Sequence, residues 1–382
     1  MQLLLPKEIK NCLKTLTTAG FEAWCVGGAV RDMIMECTPG DFDVTTNARP
    51  EEVIGLFDKT VPTGLKHGTV TVIIGNMPVE VTTYRTDGSY SDHRSPDFVE
   101  YVSSLEDDLR RRDFTVNAIC CDLNGKIYDP LNGTNDIKEK ILKTVGDPKI
   151  RFSEDSLRIM RLFRFSSQLN FKIEENTLTA ATELSGLLKE ISAERIYKEL
   201  VRLICGAAPQ NADPLFNCGA LEFLGFKKIN PGAVLKDCPP CFSLRFAVLC
   251  NKSGADAKKI LKSLKSDKSS ETDTETYLKL LSMKSETRQD IKRMLNIGGT
   301  EMCRNVLLYK GHGLATLDDI MENNEPYKKS MLAVNGNDIK NIRINGEKIG
   351  QIIEYLTETV IEDPKSNNRE ALIKAAKDRA GL

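Results

Sequence analysis

The sequence predicts an α+β fold, in which a compact α/β head ends near residue 150 and an elongated, all-helical remainder follows. Before that point the apolar residues come in short runs rich in β-branched side chains, such as 69–74 (TVTVII) and 78–84 (PVEVTTY), which favour strands. After it they recur at helical spacing, as at Ile196, Leu200 and Leu203. Because 382 residues exceed what one hydrophobic core usually holds, the chain should form at least two domains.

The first elements of the head are predicted to form a strand, a turn and a helix. Residues 21–26 (FEAWCV) read as a short strand, and Gly27-Gly28 then turn the chain into a helix that carries Arg31 and Asp32. Glycines let the backbone approach a triphosphate closely, and the free N–H groups of the helix start, with the Arg31 guanidinium, can bind its oxygens. The alternative is an ordinary tight turn.

Two aspartates one residue apart follow this unit. On a strand, Asp41 and Asp43 would project from one face while Phe42 and Val44 project from the other into a core. Two carboxylates on one face can hold Mg²⁺ between a nucleoside triphosphate and an attacking hydroxyl. A surface Asp-x-Asp loop is the alternative, but the order and close spacing of the two motifs favour phosphoryl-transfer chemistry.

The other head elements follow from local signals. Residues 50–57 are predicted to be a helix because proline suits the first helical turn. Residues 116–121 are predicted to be a strand, which Asn124-Gly125 joins to 126–128 as a hairpin.

Three consecutive arginines, Arg110 to Arg112, precede the predicted strand at 116–121. Their guanidinium groups could neutralise charge on a triphosphate or on RNA, although a solvated charge run is the alternative. Arg112 is the candidate ligand, and the roles of Arg110 and Arg111 stay open. Asp113 is expected to cap or orient the backbone.

Residues 154–165 are predicted to form a helix with a charged ridge. Helical spacing puts Asp155, Arg158, Arg161 and Arg164 at successive i, i+3 positions, which gives one acceptor followed by three donors. An amphipathic helix with surface salt bridges would look similar.

The composition limits the classes of function. A net charge of −1 means that a nucleic-acid-binding protein would need a local basic surface. Only three histidines argue against an appended His-Asp metal phosphohydrolase domain. Eleven scattered cysteines, with no recognisable leader and no apolar run of membrane length, predict a cytoplasmic protein with reduced thiols and no membrane anchor.

Four segments, in order, resemble the motifs of the class II tRNA nucleotidyltransferase and poly(A) polymerase family. They are residues 27–32 (GGAVRD), 41–43 (DFD), 111–118 (RRDFTVNA) and 154–158 (EDSLR). Within that family the resemblance is closest to the bacterial enzymes that add CCA to tRNA. The match is specific up to about residue 200, including 191–195 (ISAER), and weaker beyond it.

The resemblance implies four domains and a reaction. It implies a polymerase β-like nucleotidyltransferase head at 1–150, a helical neck that recognises the base at 151–205, a helical body at 206–310, and a helical tail that binds tRNA at 311–382. The nucleotide would lie between head and neck, and the tRNA along body and tail. The implied reaction is template-independent addition of C, C and A to the tRNA 3′ end from CTP and ATP.

Residue roles are carried over from the same motifs. The resemblance implies that Asp41 and Asp43 bind Mg²⁺ and that Glu80 is a third catalytic carboxylate, although an exposed strand glutamate is the alternative for Glu80. The residues that it implies contact the nucleotide are Gly28, Arg31, Arg112, Asp155, Arg158, Arg161 and Arg164.

Base choice can be argued from hydrogen-bonding patterns. Cytosine and adenine both present an amino donor beside a ring-nitrogen acceptor, whereas uracil and guanine present a carbonyl beside a ring N–H. Asp155 can only accept and Arg158 can only donate at neutral pH, so the pair fits C and A and leaves unpaired groups against U and G.

Residues 83–96 (TYRTDGSYSDHRSP) are polar and contain glycine and proline, which predicts a mobile loop. The segment resembles the flexible loop of family members that add the final A, although a passive connection is the alternative. Other functions left open are a bacterial poly(A) polymerase, a CC-adding or A-adding enzyme, and a non-enzymatic RNA-binding adaptor. The sequence also leaves open whether the chain acts as a homodimer.

Overall fold

The computed structural model describes residues 2–87, 99–102 and 104–382, and the chain divides into two compact units, residues 1–232 and 233–382. The predicted head and neck both fall in the first unit. The predicted domain boundaries near residues 150, 205 and 310 stay predictions.

The first unit combines strands and helices, as predicted. Its strands are β1 (Ala23–Val26), β2 (Asp43–Thr46), β3 (Thr60–Gly64), β4 (Thr69–Ile74), β5 (Met77–Thr83), β6 (Arg85–Asp87), β7 (Val99–Tyr101), β8 (Cys120–Cys121), β9 (Ile127–Tyr128), β10 (Ile141–Leu142) and β11 (Lys172–Ile173). Its helices are α1 (Lys7–Thr18), α2 (Gly28–Ile34), α3 (Pro50–Leu56), α4 (Leu105–Arg110), α5 (Gly133–Glu139), α6 (Pro148–Glu154), α7 (Leu157–Leu169), α8 (Glu175–Glu183), α9 (Ala193–Ile204) and α10 (Asp213–Asn217), and α11 (Pro231–Leu235) follows in the chain at the division.

Seven strands of the head form one sheet in the order β3-β4-β5-β2-β1-β8-β9. Strands β2 and β5 are parallel, with Asp43 opposite Glu80, and the other neighbouring strands are antiparallel. The β-branched runs occupy β4 and β5, where alternate valines such as Val70 and Val81 are buried. Hydrophobic burial of one face therefore fixes the register that brings the two acidic residues together.

One predicted head strand is wrong in part. Residues 116–118 do not continue a strand, because Thr115–Asn117 form a 3₁₀ helix and only Cys120–Cys121 pair as β8. The carboxylate of Asp113 accepts the N–H of Phe114 at 2.8 Å and the side-chain amide of Asn117 at 3.1 Å. These local bonds satisfy the turn and compete with strand pairing.

The segment after residue 150 is helical with one exception inside the first unit. Helices α7 and α9 pack together through buried residues that include Phe163, Leu200 and Leu203. The sequence predicted only helices after residue 150, but β11 lies in this segment and pairs in parallel with β10. The predicted loop at 83–96 lies mostly outside the described residues, since only its first residues, in β5 and β6, are described.

The second unit is described by helices alone. They are α12 (Phe242–Ser253), α13 (Ala257–Ser263), α14 (Lys268–Ser282), α15 (Arg288–Lys310), α16 (Leu314–Glu322), α17 (Gly336–Asn341), α18 (Glu347–Glu362) and α19 (Arg369–Ala380). One apolar cluster in this unit includes Ile339, Leu356 and Leu372. Across the described parts of the chain, no helix has the length and apolar character needed to cross a membrane.

Candidate active site

The turn between β1 and α2 brings three parts of the first unit together. Gly27 has φ +82° and ψ −138°, a conformation that residues with a side chain rarely adopt. A Cβ atom at this position would lie 3.2 Å from Arg112 Nη1 and 3.7 Å from Asp43 Oδ2. At Gly28 a Cβ atom would lie 3.6 Å from Arg31 Nη2. The glycine pair therefore leaves open a space bordered by Arg112, Asp43 and Arg31.

Asp43 borders this space, and the charges of two further carboxylates, Glu80 and Asp41, act on it. Asp43 begins β2 and Glu80 lies opposite it on β5, so the two side chains share one face of the sheet. Asp41 precedes β2 rather than lying on it, while Phe42 and Val44 are buried as the predicted alternation requires.

The charges around Asp43 favour a cation. Burial raises the pKa of Asp43, the charges of Glu80 and Asp41 raise it further, the Arg112 guanidinium opposes the rise, and the net value is about 6. A cation would relieve both the burial penalty and the repulsion between the carboxylates. No set of three or more His, Cys, Asp or Glu side chains within the described residues is arranged to hold a metal. A metal here would therefore take further ligands from substrate or water, as Mg²⁺ usually does.

Arg112 is held from one side by a buried acid. Its Nη2 lies 3.3 Å from Asp108 Oδ2, and Asp108 also accepts hydrogen bonds from Arg111 Nε at 2.9 Å and Thr45 Oγ1 at 3.1 Å. Burial by itself raises the pKa of Asp108, but Arg112 and Arg111 outweigh it and the pKa is lowered. Arg112 Nε is buried without a hydrogen-bond partner in the described part of the chain. The atom of Arg112 that lies near Gly27 is Nη1.

Hydrogen bonds connect α2 to α7. Arg31 donates to Asp32 Oδ1 from Nε at 2.9 Å and Nη2 at 2.7 Å, and to Asn117 Oδ1 from Nη1 at 2.6 Å. Asn117 Nδ2 donates to Asp113 Oδ1, and Asp113 Oδ2 accepts from Nε and Nη2 of Arg161 at 2.8 and 2.5 Å. Burial raises the pKa of Asp113, but Arg161 and the hydrogen bonds lower it to about 2. All three guanidinium nitrogens of Arg31 are engaged, so its contact with a nucleotide stays a prediction.

The prediction that Asp155 shares a helix with the arginines is wrong. Asp155 lies between α6 and α7 with φ −134° and ψ 101°, because Oδ1 accepts the Leu157 N–H at 3.1 Å and Oδ2 accepts Nη2 of Arg195 at 2.9 Å. Arg158, in the first turn of α7, donates from Nη1 to Glu154 Oε2 at 2.6 Å. The backbone N–H of Arg158 also bonds the Asp155 carbonyl at 2.9 Å. The Asp155 acceptor and the Arg158 donor are still close in the chain, but Arg195 holds the first and Glu154 holds the second.

Three guanidinium groups lie close to the ring of Phe165. The Cζ atoms of Arg31, Arg161 and Arg164 lie 5.2, 5.3 and 3.9 Å from the ring centroid. The ring of Phe114 packs against it edge-on, with centroids 5.8 Å apart. Cations over an aromatic face are attracted by the ring quadrupole. The structure thus brings three of the predicted nucleotide-binding arginines to one point.

Sequence reasoning gave no role to Asp108, Asn117 or Phe165. Asp108 precedes two arginines by three and four residues on a helical segment, which was a readable signal for ion pairs. The contact of Asn117 with Arg31 joins positions 86 residues apart, and no local pattern indicates it. Phe165 looked like an ordinary core residue of an amphipathic helix.

Three protein-family profiles match the chain. The family described as poly A polymerase head domain matches residues 23–143, a family of polymerase A RNA-binding regions matches 170–227, and the family described as tRNA nucleotidyltransferase domain 2 matches 244–376.

Two relatives and one solved structure illustrate the similarity, and all three are named CCA-adding enzymes. The CCA-adding enzyme of Staphylococcus epidermidis is 35% identical over 96% of this chain and 96% of its own length. That of Lactobacillus helveticus is 50% identical, over 53% of this chain and 51% of its own length. Among solved structures, the Bacillus stearothermophilus CCA-adding enzyme in complex with CTP has a TM-score of 0.85 at 30% identity, covering 99% of this chain and 98% of that one.

Proposed function

Because the chain belongs to the tRNA nucleotidyltransferase and poly(A) polymerase family, we propose that it adds C, C and A to the 3′ end of tRNA, using CTP and ATP and releasing pyrophosphate. Relatives named CCA-adding enzymes that match nearly the whole chain support this over a poly(A) polymerase. The observation that carries the proposal is the opening at Gly27, where a carboxylate oxygen of Asp43 and Nη1 of Arg112 border one space.

Asp41 and Asp43 are the residues that would hold Mg²⁺. The donor set fits this ion because carboxylate oxygens are its preferred protein ligands, and a substrate phosphate would supply further oxygen ligands. Glu80 contributes charge to the same cluster. Bound there, Mg²⁺ would lower the pKa of the tRNA 3′ hydroxyl and balance charge on the leaving pyrophosphate.

The chain's own residues bind and orient the triphosphate. Gly28 keeps the backbone close to the phosphates, and Arg112 supplies donors from the α4 side. Arg31, Arg161 and Arg164 add positive charge around Phe165. In the reaction the 3′ hydroxyl of tRNA loses its proton to solvent and its oxygen forms a bond to the α-phosphorus. The bond from that phosphorus to the oxygen that bridges it to the β-phosphorus breaks, and pyrophosphate leaves in line.

Asp155 and Arg158 are the proposed readers of the base. Asp155 accepts from the amino group of C or A, and Arg158 donates to the adjacent ring nitrogen. A carboxylate oxygen has two acceptor sites, so Asp155 can keep its bond from Arg195 while it accepts from a base. Selection then needs no nucleic-acid template.

The remaining assignments complete the proposal. The head at 1–150 carries the chemistry, the neck at 151–205 the base recognition, and the body and tail at 206–310 and 311–382 the tRNA contacts. We place the reaction in the cytoplasm because all eleven cysteines are free thiols, which suits a reducing compartment.

A single gel tests the function. Purified protein, Mg²⁺ and labelled nucleotides, singly and mixed, are incubated with tRNAs that end before the first C, between the Cs, or before A. The proposal predicts one or two C additions from CTP, one A after CC from ATP, and no further growth. A long ladder from ATP alone would indicate poly(A) polymerase, and a product that stops at CC would indicate a CC-adding enzyme. Either result would overturn complete CCA addition.

A further inference from the structure

A buried carboxylate behind the arginines has no role in the proposed chemistry. Glu199 lies on α9, a helix that contributes none of the predicted site residues, and only 10% of its side chain is exposed. Its Oε2 lies 3.0 Å from Arg164 Nε, and its Oε1 lies 4.0 Å from Arg161 Nη1. Glu199 thus faces two arginines of the candidate site, Arg164 and Arg161.

The contact between Glu199 and Arg164 is close but incomplete. Neither Arg164 Nε nor Glu199 Oε2 has a hydrogen-bond partner within the residues that the structure describes, despite their 3.0 Å separation. A buried ion pair offsets its desolvation cost only when its geometry and hydrogen bonds are good. A pair of this quality is poorly explained by stability alone, which points to a functional reason for the charge.

The charge balance around Phe165 supplies that reason. Three guanidinium groups surround the ring, with Asp32 beside Arg31, Asp113 beside Arg161, and Glu199 beside Arg164 and 4.0 Å from Arg161. Burial and the neighbouring Arg161 lower the pKa of Arg164, Glu199 opposes both effects, and the net value is about 10. Without Glu199, three clustered guanidiniums would share two carboxylates.

A polyphosphate bound to these arginines competes with those carboxylates. Each carboxylate weakens the attraction between the arginines and an incoming anion, and the effect is strong at short range in a partly buried site. An enzyme that releases pyrophosphate at every addition needs such a limit, because product release often sets the turnover rate.

We propose that Glu199 is a positioning residue that sets the charge of the arginine cluster and thereby limits its affinity for pyrophosphate. The inference rests on the proposed function, since it takes the arginines to be the triphosphate site. It assigns to Glu199 a part in the reaction that the predicted site residues do not include.

The test is direct titration of the full chain with inorganic pyrophosphate in Mg²⁺ buffer, followed by calorimetry. Glu199→Gln keeps the shape of the side chain and one acceptor oxygen but removes its charge, so pyrophosphate should bind about tenfold more tightly than to the wild type. Glu183→Gln is the matched control, because Glu183 is an exposed acid that pairs with Lys149, and its pyrophosphate affinity should equal that of the wild type.

An unchanged or weaker pyrophosphate affinity in folded Glu199→Gln would overturn the inference. If that variant does not fold, Glu199→Asp keeps the charge and moves it one carbon away from Arg164. That variant should bind pyrophosphate about two- to threefold more tightly, and equal or weaker binding would overturn the inference as well. A wild type that fails to add C to tRNA would instead remove the proposed function itself, which the titration does not measure.

Discussion

Replacing Gly27 by alanine should lower both the stability of the fold and the rate of nucleotide addition. The backbone at this position, with φ +82° and ψ −138°, is strained for any residue with a side chain, at a cost of about 1–3 kcal/mol. The new Cβ atom would also lie 3.2 Å from Arg112 Nη1 and 3.7 Å from Asp43 Oδ2, inside the proposed triphosphate space. Arg112 must then move by a few tenths of an ångström, and the phosphates lose their closest approach to the backbone.

We expect Gly27→Ala to lower the free energy of unfolding by about 1–3 kcal/mol and to reduce kcat/KM for CTP by about a hundredfold or more, because small displacements at a reacting centre have effects of that size. Gly75→Ala is the matched control. Gly75 also has positive φ, +62°, but nothing lies within 4 Å of its Cβ position, so it should lose a similar amount of stability and keep its activity. Urea denaturation and single-turnover C addition measure the two quantities. Equal kcat/KM in both variants would refute the reasoning.

Three further predictions concern other parts of the chain. Arg158→Ala should weaken the binding of CTP and ATP and reduce the enzyme's selectivity for these two nucleotides over UTP and GTP. If incorporation from nucleotide mixtures shows the wild-type selectivity, Arg158 does not select the base. Asp113→Asn should destabilise the protein by about 2–3 kcal/mol at pH 7, because the folded pKa of Asp113, about 2, lies below its ordinary 3.8. This difference is fully present above pH 4 or so and shrinks as pH falls through about 2, so denaturation curves that differ equally at all pH values would contradict it. Glu325→Gln should destabilise the second unit by about 3–5 kcal/mol, since Lys292 is 2% exposed and its ammonium pairs with Glu325 at 2.6 Å; an unchanged urea midpoint would show that the pair is dispensable.

Local sequence signals predicted the strands at 21–26, 69–74 and 78–84, because the burial of each strand face depends on the strand's own residues. The alternating valines of β4 and β5 and the glycine turn after β1 are examples. The register that sets Asp43 beside Glu80 pairs β2 with β5, and β3 and β4 lie between them in the chain, so no local signal gave it. The sequence indicated Glu80 only through the alternation of its strand and the family resemblance.

The errors arose where side chains override local preference. The β-branched residues near Val116 favour a strand, but the Asp113 carboxylate captures the backbone N–H of Phe114 and forms a turn instead. The i, i+3 spacing from Asp155 to Arg164 fits one helix, but the Asp155 side chain bonds the N–H of Leu157 and ends the regular backbone there.

Long-range partners were out of reach for a different reason. Arg195 meets Asp155 across 40 residues, and Glu199 meets Arg164 only because α9 packs on α7. Such pairings depend on tertiary packing, and a charged residue on an amphipathic helix gives no local sign of which distant charge it will face. The residues that hold the site residues in place, such as Arg195 and Glu199, are thus known only from the fold.

The central claim is that Asp41 and Asp43 support phosphoryl transfer, and C addition by two single variants tests it most directly. In the presence of Mg²⁺, CTP and a tRNA lacking CCA, Asp41→Ala and Asp43→Ala should each abolish measurable incorporation while their circular dichroism spectra match the wild type. Near-normal incorporation by either folded variant would contradict the claim.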